Sequence, residues 1–502
     1  MAQKSPVEAA GSLTSTEGAG AALEAHPLAP TWLSPRSGTS DLEEKLFPAS
    51  TSRAAGGELQ IRGIGAAELL RRFGSPLYVI DEQDFRRRAR GFVTAFTQAF
   101  APAADVDVFY AGKAFLSTHI ARWASEEGLC VDTASGGELA LALAAGVEPA
   151  RIGLHGNNKS DAEIQQALDH GVGRIVADSL DELERISVLA TSAGTTAPVM
   201  LRLTPGVHAS THEYIATAHE DQKFGLSLAS GEGGSPAWTA LSRALELPGV
   251  DLRGLHCHIG SQIFEPEGFE LAARKLIAFL ALVRDERGIE LAELDLGGGH
   301  GIAYTEADAP REPEDIAQAL AGTVLAACAQ HGLSVPRISI EPGRAIAGPA
   351  GVTLYTAGVT KDVVVDLPEG GEGTRRYIAV DGGMSDNARG VLYEADYSAV
   401  LAGRPAQADA AGEYILSRIV GKHCESGDIV VRNVYLPSTT ARGDILAVPA
   451  TGAYCHSLSS NYNYLARPAA VAVKAAEAQV LIRRETQDQM LSRDTGYNTS
   501  QE

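Results

Sequence analysis

Cysteine is scarce and unpatterned in this chain of 502 residues: Cys130, Cys257, Cys328, Cys424 and Cys455 are scattered, odd in number and never spaced as CxxC. Neither a disulfide framework nor a zinc knuckle is indicated, and a reducing compartment fits best. Long apolar runs are missing too. None approaches the ~20 residues that cross a bilayer, and the first residues lack the apolar core of a signal peptide. A soluble, cytoplasmic protein is expected. Basic charge is short as well, with 42 Lys and Arg against 63 Asp and Glu and a formal net charge of −21. Without a basic face, neither nucleic acid nor an anionic membrane is expected as a partner.

What is present is organised in blocks. Residues 1–55 are rich in Ala, Gly, Ser and Pro with no sustained apolar period, which suits a flexible extension, and 484–502 read the same way. Between them, eight short apolar runs ("VDVFYA", "LCVDTAS", "RIGLHG", "RIVADS", "PVMLRL", "LRGLHCHIG", "ELDLGGG", "RISIEPG") alternate with amphipathic segments. Several of those segments begin at Ser or Asp and end near Gly, as capped helices do. This pattern predicts a (β/α)8 barrel over 81–343. From 344 to 483 the runs become short, β-type and broken by Gly, Asp and Pro, which predicts a separate β domain. The segment 56–80, closed by the strand-like "SPLYVID" that runs on to Asp81, is a candidate member of that second domain.

Barrels of this kind carry their chemistry at the C-terminal ends of the strands. Those ends hold Lys113, His155 and Asn157, His258 and Ser261, Gly297 to Gly299, and Glu341 with Arg344. Lys113, bordered by apolar and small residues, either snorkels to solvent or works as an amine nucleophile of lowered pKa. The glycine run after the seventh strand is either a tight turn or a nest of N–H groups for a phosphate. His256 and His258 share one face of their strand, and no third ligand supports a metal there. His256 reads as a packed core histidine, while His258, nearer the strand end, could stack on a ring. Glu341 is either the partner of an arginine or a carboxylate that keeps a heterocycle nitrogen protonated, as a pyridoxal cofactor requires. Cys424, in "HCESGD", is a small packed residue or a reactive thiol.

The ordered series "YAGKAF", "HGNNKS", "HCHIGSQ", "DLGGGHG", "EPGR", "DGGMSDN", "CESGD" and "GAY" resembles the barrel-type pyridoxal-phosphate decarboxylases over about 57–480. The resemblance implies an α/β barrel with a C-terminal β domain of the alanine racemase-like type, and pyridoxal 5'-phosphate as cofactor. Lys113 would bond the cofactor, His258 stack on its ring and Glu341 face the ring nitrogen. Ser261, Gly297, Gly298, Gly299, Glu341, Pro342, Gly343, Arg344 and Tyr454 would hold the phosphate, with Asp132 an acidic neighbour of the lysine. No metal is implied. Arg344, Arg389, Tyr393 and Tyr454 resemble substrate-binding residues, and Arg389 with Tyr393 stands in a departure from the family pattern. Where the family shows Asn-Pro-Arg-Pro, this chain has Ala388 and Gly390 in place of both prolines, so the loop is less restrained in φ.

A proton must be delivered to the substrate's Cα, with Lys113 and Cys424 the candidates, and the resemblance favours Cys424. Glu425 would take a distal ammonium while Arg389 takes a distal carboxylate. A substrate bearing both groups is meso-2,6-diaminopimelate, whose decarboxylation gives L-lysine. The alternatives are an ornithine- or arginine-type decarboxylase, a broad-specificity racemase, against which Glu341 argues, and a non-catalytic regulatory homologue. A homodimer with shared active sites is also implied. Since neighbours on a strand face opposite ways, Cys424 and Glu425 reach one substrate only from a loop.

Overall fold

The computed structural model describes residues 26–35, 42–207, 223–230, 234–403 and 413–497. The eight expected strands form: β1 Val106–Ala111, β2 Cys130–Thr133, β3 Ile152–Leu154, β4 Arg174–Ala177, β5 Ala197–Thr204, β6 Val250–His256, β7 Glu293–Asp295 and β8 Arg337–Ile340. Each pairs in parallel with the next, and β8 returns to β1 with Ile338 opposite Val106, which closes the barrel. Strands covered on both faces by side chains need no polar alternation, and β2, β3 and β4 are buried throughout.

Helices between the strands start where the sequence places a hydroxyl. The side chains of Ser135, Ser160, Ser179 and Ser235 each accept the N–H three residues on, a cap worth about 1 kcal/mol. The helix Glu82–Phe100 before β1 is capped by Asp81 and turns Phe85, Phe92, Phe96 and Phe100 into the core. Each such ring contributes about 1.5–3 kcal/mol on burial.

Inside the barrel, β4 carries Arg174 to Asp295 on β7, with 2.5 Å between Nη2 and Oδ2. Its guanidinium lies 3.5 Å from the Phe109 ring centre. Removing Asp295 would take away the nearer of its two acidic partners and leave Asp132 Oδ1 at 3.6 Å.

The second domain is built on a sheet in the order 429–437, 414–420, 372–380, 351–366, 77–81, 469–474, 477–482. Its strand Leu77–Asp81 comes from before the barrel, antiparallel to Gly351–Asp366 and parallel to Ala469–Lys474. All five of its residues are buried. The "SPLYVID" run therefore lies in this sheet.

Two stretches expected to belong to a flexible extension are packed instead. Leu46 and Phe47 fill a core with Leu59, Ile61 and Leu69. Leu33 sits against Leu416 and Tyr435, where the Tyr435 hydroxyl accepts the His26 N–H at 3.0 Å. A few large apolar residues in small-residue surroundings suffice to dock these stretches, and the composition hides them. The start of the expected flexible tail is also ordered: Glu485 pairs with Arg467 at 2.9 Å, and Thr486 caps a short helix, Gln487–Leu491. Residues 1–25, 36–41 and 498–502 of these segments lie outside the described residues.

Candidate active site

Lys113 stands in a single 3-10 turn, Gly112–Ala114, directly after β1. The turn is pinned from three sides. The Tyr110 hydroxyl donates to the Phe115 carbonyl at 2.7 Å, while the Tyr454 N–H and the Ser457 hydroxyl donate to the Ala114 carbonyl at 2.7 and 2.9 Å. A Cβ on Gly112 would lie 2.7 Å from the Asp132 carbonyl oxygen, so only glycine lets β1 and β2 approach here. With its backbone held, the Lys113 side chain opens into a cleft of about 770 Å³ at the C-terminal mouth of the barrel.

One wall of that cleft is a buried cluster of acids and imidazoles. His155 Nε2 is 2.9 Å from Asp132 Oδ1, and His256 Nε2 is 2.8 Å from Glu341 Oε1. The two rings meet edge to face at 5.2 Å. Burial pushes Asp132 up to about 6 and His155 down to about 4. Glu341 is also raised, first by burial and then by the charge of Asp132, while His155, Arg174 and Lys113 pull it back. His256, read as a packed core residue, is buried and bonded to the carboxylate it would otherwise have hidden. His155, His256 and Glu341 bring potential ligand atoms within 4.8 Å of one another, so the missing third ligand is no longer the objection to a metal. In this structure Glu341 Oε1 and His256 Nε2 share one hydrogen bond.

The opposite end is a backbone cradle. Gly297 and Gly299 have φ of +70° and +118°, and a Cβ on Gly297, Gly298 or Gly299 would come within 2.3 Å of a carbonyl oxygen. The run is thus a close approach of three loops. Gly298 donates its N–H to His258 Nδ1 at 3.2 Å, which fixes the His258 ring. Arg344 is buried, donating to the Ser261 hydroxyl at 2.6 Å and the Tyr304 hydroxyl at 2.5 Å, with its guanidinium 4.6 Å from the Tyr454 ring centre. Gly299, Pro342, Gly343, Arg344 and Tyr454 surround a small side cavity that shares Lys113, His258 and Glu341 with the main cleft.

Arg389 and Tyr393 line the far side of the cleft. Arg389 is buried, donates to the Tyr397 hydroxyl at 2.7 Å and lies 4.4 Å from the Tyr304 ring centre. Gly390, in place of the usual proline, has a local reason: a Cβ there would sit 2.8 Å from the Ile429 carbonyl oxygen. Sequence reasoning gave no role to Tyr304, which touches both Arg344 and Arg389, although it lies five residues past the glycine run. Nor did it single out Trp32, which lines the cleft from the segment docked on the β domain. Arg202, at the end of β5, lines it too, 4.3 Å from the Phe224 ring centre.

Cys424 and Glu425 are not brought to this cleft. Both are exposed, on the loop between the strands Tyr414–Val420 and Ile429–Pro437. A loop is what the alternation argument required. There the Cys424 N–H donates to Asn463 Oδ1 at 3.3 Å, and the Tyr462 hydroxyl donates to Glu425 Oε1.

Fold and site together define a barrel-type pyridoxal-dependent decarboxylase, and residues 83–348 match the family model described as the pyridoxal binding domain of the pyridoxal-dependent decarboxylases. The diaminopimelate decarboxylase of Mycobacterium tuberculosis is 49% identical over 455 residues, covering 90% of this chain and 98% of that enzyme. That of Bacillus subtilis is 43% identical over 90% of this chain and 99% of that enzyme. The chain belongs to the diaminopimelate decarboxylase family. Among solved structures, the diaminopimelate decarboxylase of M. jannaschii in complex with L-lysine superposes with a TM-score of 0.80 at 31% identity, covering 89% of this chain and 98% of that one.

The residues fit the cofactor this family uses. The glycine cradle admits no side chain of its own. Three buried polar atoms around the cleft, Asp132 Oδ2, His256 Nδ1 and Arg344 Nε, have no hydrogen-bond partner among the described residues. Such atoms are costly to bury unless something polar meets them.

Proposed function

We propose that this protein decarboxylates meso-2,6-diaminopimelate to L-lysine and CO2, the last step of lysine biosynthesis, with pyridoxal 5'-phosphate as cofactor. The observation that carries the reading is the convergence of Lys113, His258, Glu341 and Arg344 on one cleft that has Arg389 on its far wall. When bound, the cofactor's protonated ring takes up the electron pair left as the bond between Cα and its carboxylate breaks.

Lys113 would hold the cofactor through its amine, and His258, fixed by the Gly298 N–H, would lie against the ring. Glu341 is suited to hold a proton at the ring nitrogen, because burial raises its proton affinity. Ser261, Gly297 to Gly299, Pro342, Gly343, Arg344 and Tyr454 would receive the phosphate, most of them from backbone that cannot shift. Arg389, with Arg344 and Tyr393, would grip the distal carboxylate. The aromatic contact to Tyr304 and the bond to Tyr397 keep the Arg389 guanidinium in place before substrate arrives.

Glu425 would receive the distal ammonium and Cys424 would deliver a proton to Cα. Since both are exposed and outside the cleft of their own chain, this reading requires a homodimer in which each subunit's loop completes the partner's site. A cytoplasmic location follows from the biosynthetic role and the unpaired cysteines. The test is CO2 release from purified holoenzyme offered meso-diaminopimelate, ornithine and arginine side by side. Release from the first alone is the expected result, and release only from ornithine or arginine overturns it. The arginine-lined far wall argues against those two, which have no second carboxylate to meet it. Reduction with borohydride that leaves no cofactor on Lys113 would support a non-catalytic homologue instead.

A further inference from the structure

The loop carrying Cys424 and Glu425 is exposed, yet it is not loosely held. Its two ends are tied by Asp428, a buried carboxylate that accepts the N–H groups of His423 and Met384 at 2.8 and 2.6 Å and faces His423 Nδ1 at 2.9 Å. Gly383 and Gly421 press so close that a Cβ on either would lie within 2.5 Å of an Asp428 oxygen. Held 2.9 Å from a carboxylate oxygen of Asp428, His423 Nδ1 is fixed, and with it the imidazole plane. On that plane lies the Tyr462 ring, 5.6 Å between centroids and 7° between planes. Its hydroxyl donates to Glu425 Oε1.

Tyr462 stands on a turn that is itself anchored. Asn463 and Tyr464 have φ of +51° and +56°, a conformation that tyrosine rarely adopts. The turn is held open by Asn461, whose amide donates to Glu485 Oε2 at 2.6 Å and to the Leu465 carbonyl at 3.0 Å. A strained turn kept in place by the far end of the chain needs a purpose. Its two neighbours across the gap are the Cys424 N–H and the Glu425 carboxylate.

We propose that Tyr462, braced by the His423–Asp428 pair, is a positioning residue that aims the Glu425 carboxylate at the substrate's distal ammonium. This rests on the reading that Glu425 receives that ammonium in the partner's cleft. One carboxylate oxygen is occupied by the Tyr462 hydroxyl, which leaves Oε2 to meet a cation and removes the rotational freedom of a long, exposed side chain. The hydroxyl contributes to binding the substrate equally in its ground and transition states, so its loss shows in KM rather than in kcat. The same scaffold gives a role to the two outer residues of "HCESGD", which the chemistry at Lys113 leaves unexplained.

The experiment is a double-mutant cycle on the holoenzyme with meso-diaminopimelate, using Tyr462→Phe, Glu425→Gln and the pair. Tyr462→Phe keeps the ring stacked on His423. It is expected to raise KM about ten- to 150-fold, the range of one charge-assisted hydrogen bond, with kcat changed less than about twofold. Glu425→Gln should raise KM further. In that background Tyr462→Phe should add less than about twofold, because the hydroxyl acts through the carboxylate. A KM that does not move in Tyr462→Phe, or a full effect that persists without the Glu425 charge, overturns the proposal while leaving the role of Glu425 standing. If Glu425→Gln itself leaves KM unchanged, the role of Glu425 falls, and this proposal with it.

Discussion

The two parts of the proposed site are built in opposite ways. At the barrel mouth, Asp132, His256, His258, Glu341 and Arg344 are all buried, and their partners are set by strand register and by glycines that admit no alternative. On the β domain, Cys424 and Glu425 are exposed on a loop braced from beneath. A cofactor that stays bound is best held by groups fixed during folding. A substrate that comes and goes, and a proton that must be replaced each turnover, are served by groups that reach solvent. Electrostatic preorganisation belongs to the first region and exchange to the second.

The sharpest break of this contrast is Lys113→Ala, expected to reduce decarboxylation by about 10³-fold or more and to abolish borohydride trapping of cofactor. Cys424→Ala should lower kcat about 10²- to 10³-fold with cofactor absorbance unchanged, the range for losing a general acid. Mixing the two inactive proteins under conditions that exchange subunits should restore about a quarter of wild-type activity, since half the dimers then carry one intact site. No recovery after exchange would place the loop in its own subunit's cleft. Arg389→Ala is expected to raise KM for meso-diaminopimelate by about 30- to 300-fold, as loss of a buried charged partner does.

A smaller effect separates the two members of the buried pair at the barrel mouth, read as thermal or urea stability of cofactor-free protein against pH. Asp132 is raised from 3.8 to about 6, so the folded state keeps a proton that the unfolded chain has lost, and this group lowers stability as pH rises through that window. His155 is lowered from 6.5 to about 4, so it is neutral in the fold where the unfolded chain is charged, and its contribution grows as pH rises over that range. Asp132→Asn should therefore make the slope of stability against pH more positive between pH 4 and 6, and His155→Gln more negative. Equal slopes in both variants would deny the two shifts.

How much of this was legible in the sequence follows the same division. The barrel strands are continuous apolar runs because both faces are buried, and a polar residue at the end of each run lands at one mouth. Lys113, His258, Glu341 and the glycines were readable for that reason. Tyr304 and Trp32 were not, since neither ends a strand, and an aromatic side chain in a loop carries no sign of what it will touch. Arg389 was read as a substrate group from the resemblance, yet its anchorage by Tyr397 depends on a turn, Arg389–Leu392, that no periodicity marks. His256 was read as a packed core histidine, and it is buried, but its strand position does not show that Glu341, just past β8, faces it. Cys424 and Glu425 were expected on a loop, and they lie on one. Nothing local in "HCESGD" could reveal that the bracing tyrosine stands almost forty residues later, with |i−j| of 37 between Tyr462 and Glu425.

The strand Leu77–Asp81 also constrains how the molecule is made. It emerges before any barrel strand, but its parallel neighbour, beginning at Ala469, follows the whole barrel in the chain. Until then one edge of a fully buried strand lacks its hydrogen-bonding partner, a hazard that non-local pairing imposes on a nascent chain. The barrel between them closes on itself through β1 and β8 and does not have to wait. The order of events at the ribosome is therefore barrel first and second domain last. A chain that terminates shortly before Ala469 would carry a finished cofactor pocket on a body unable to complete its other half.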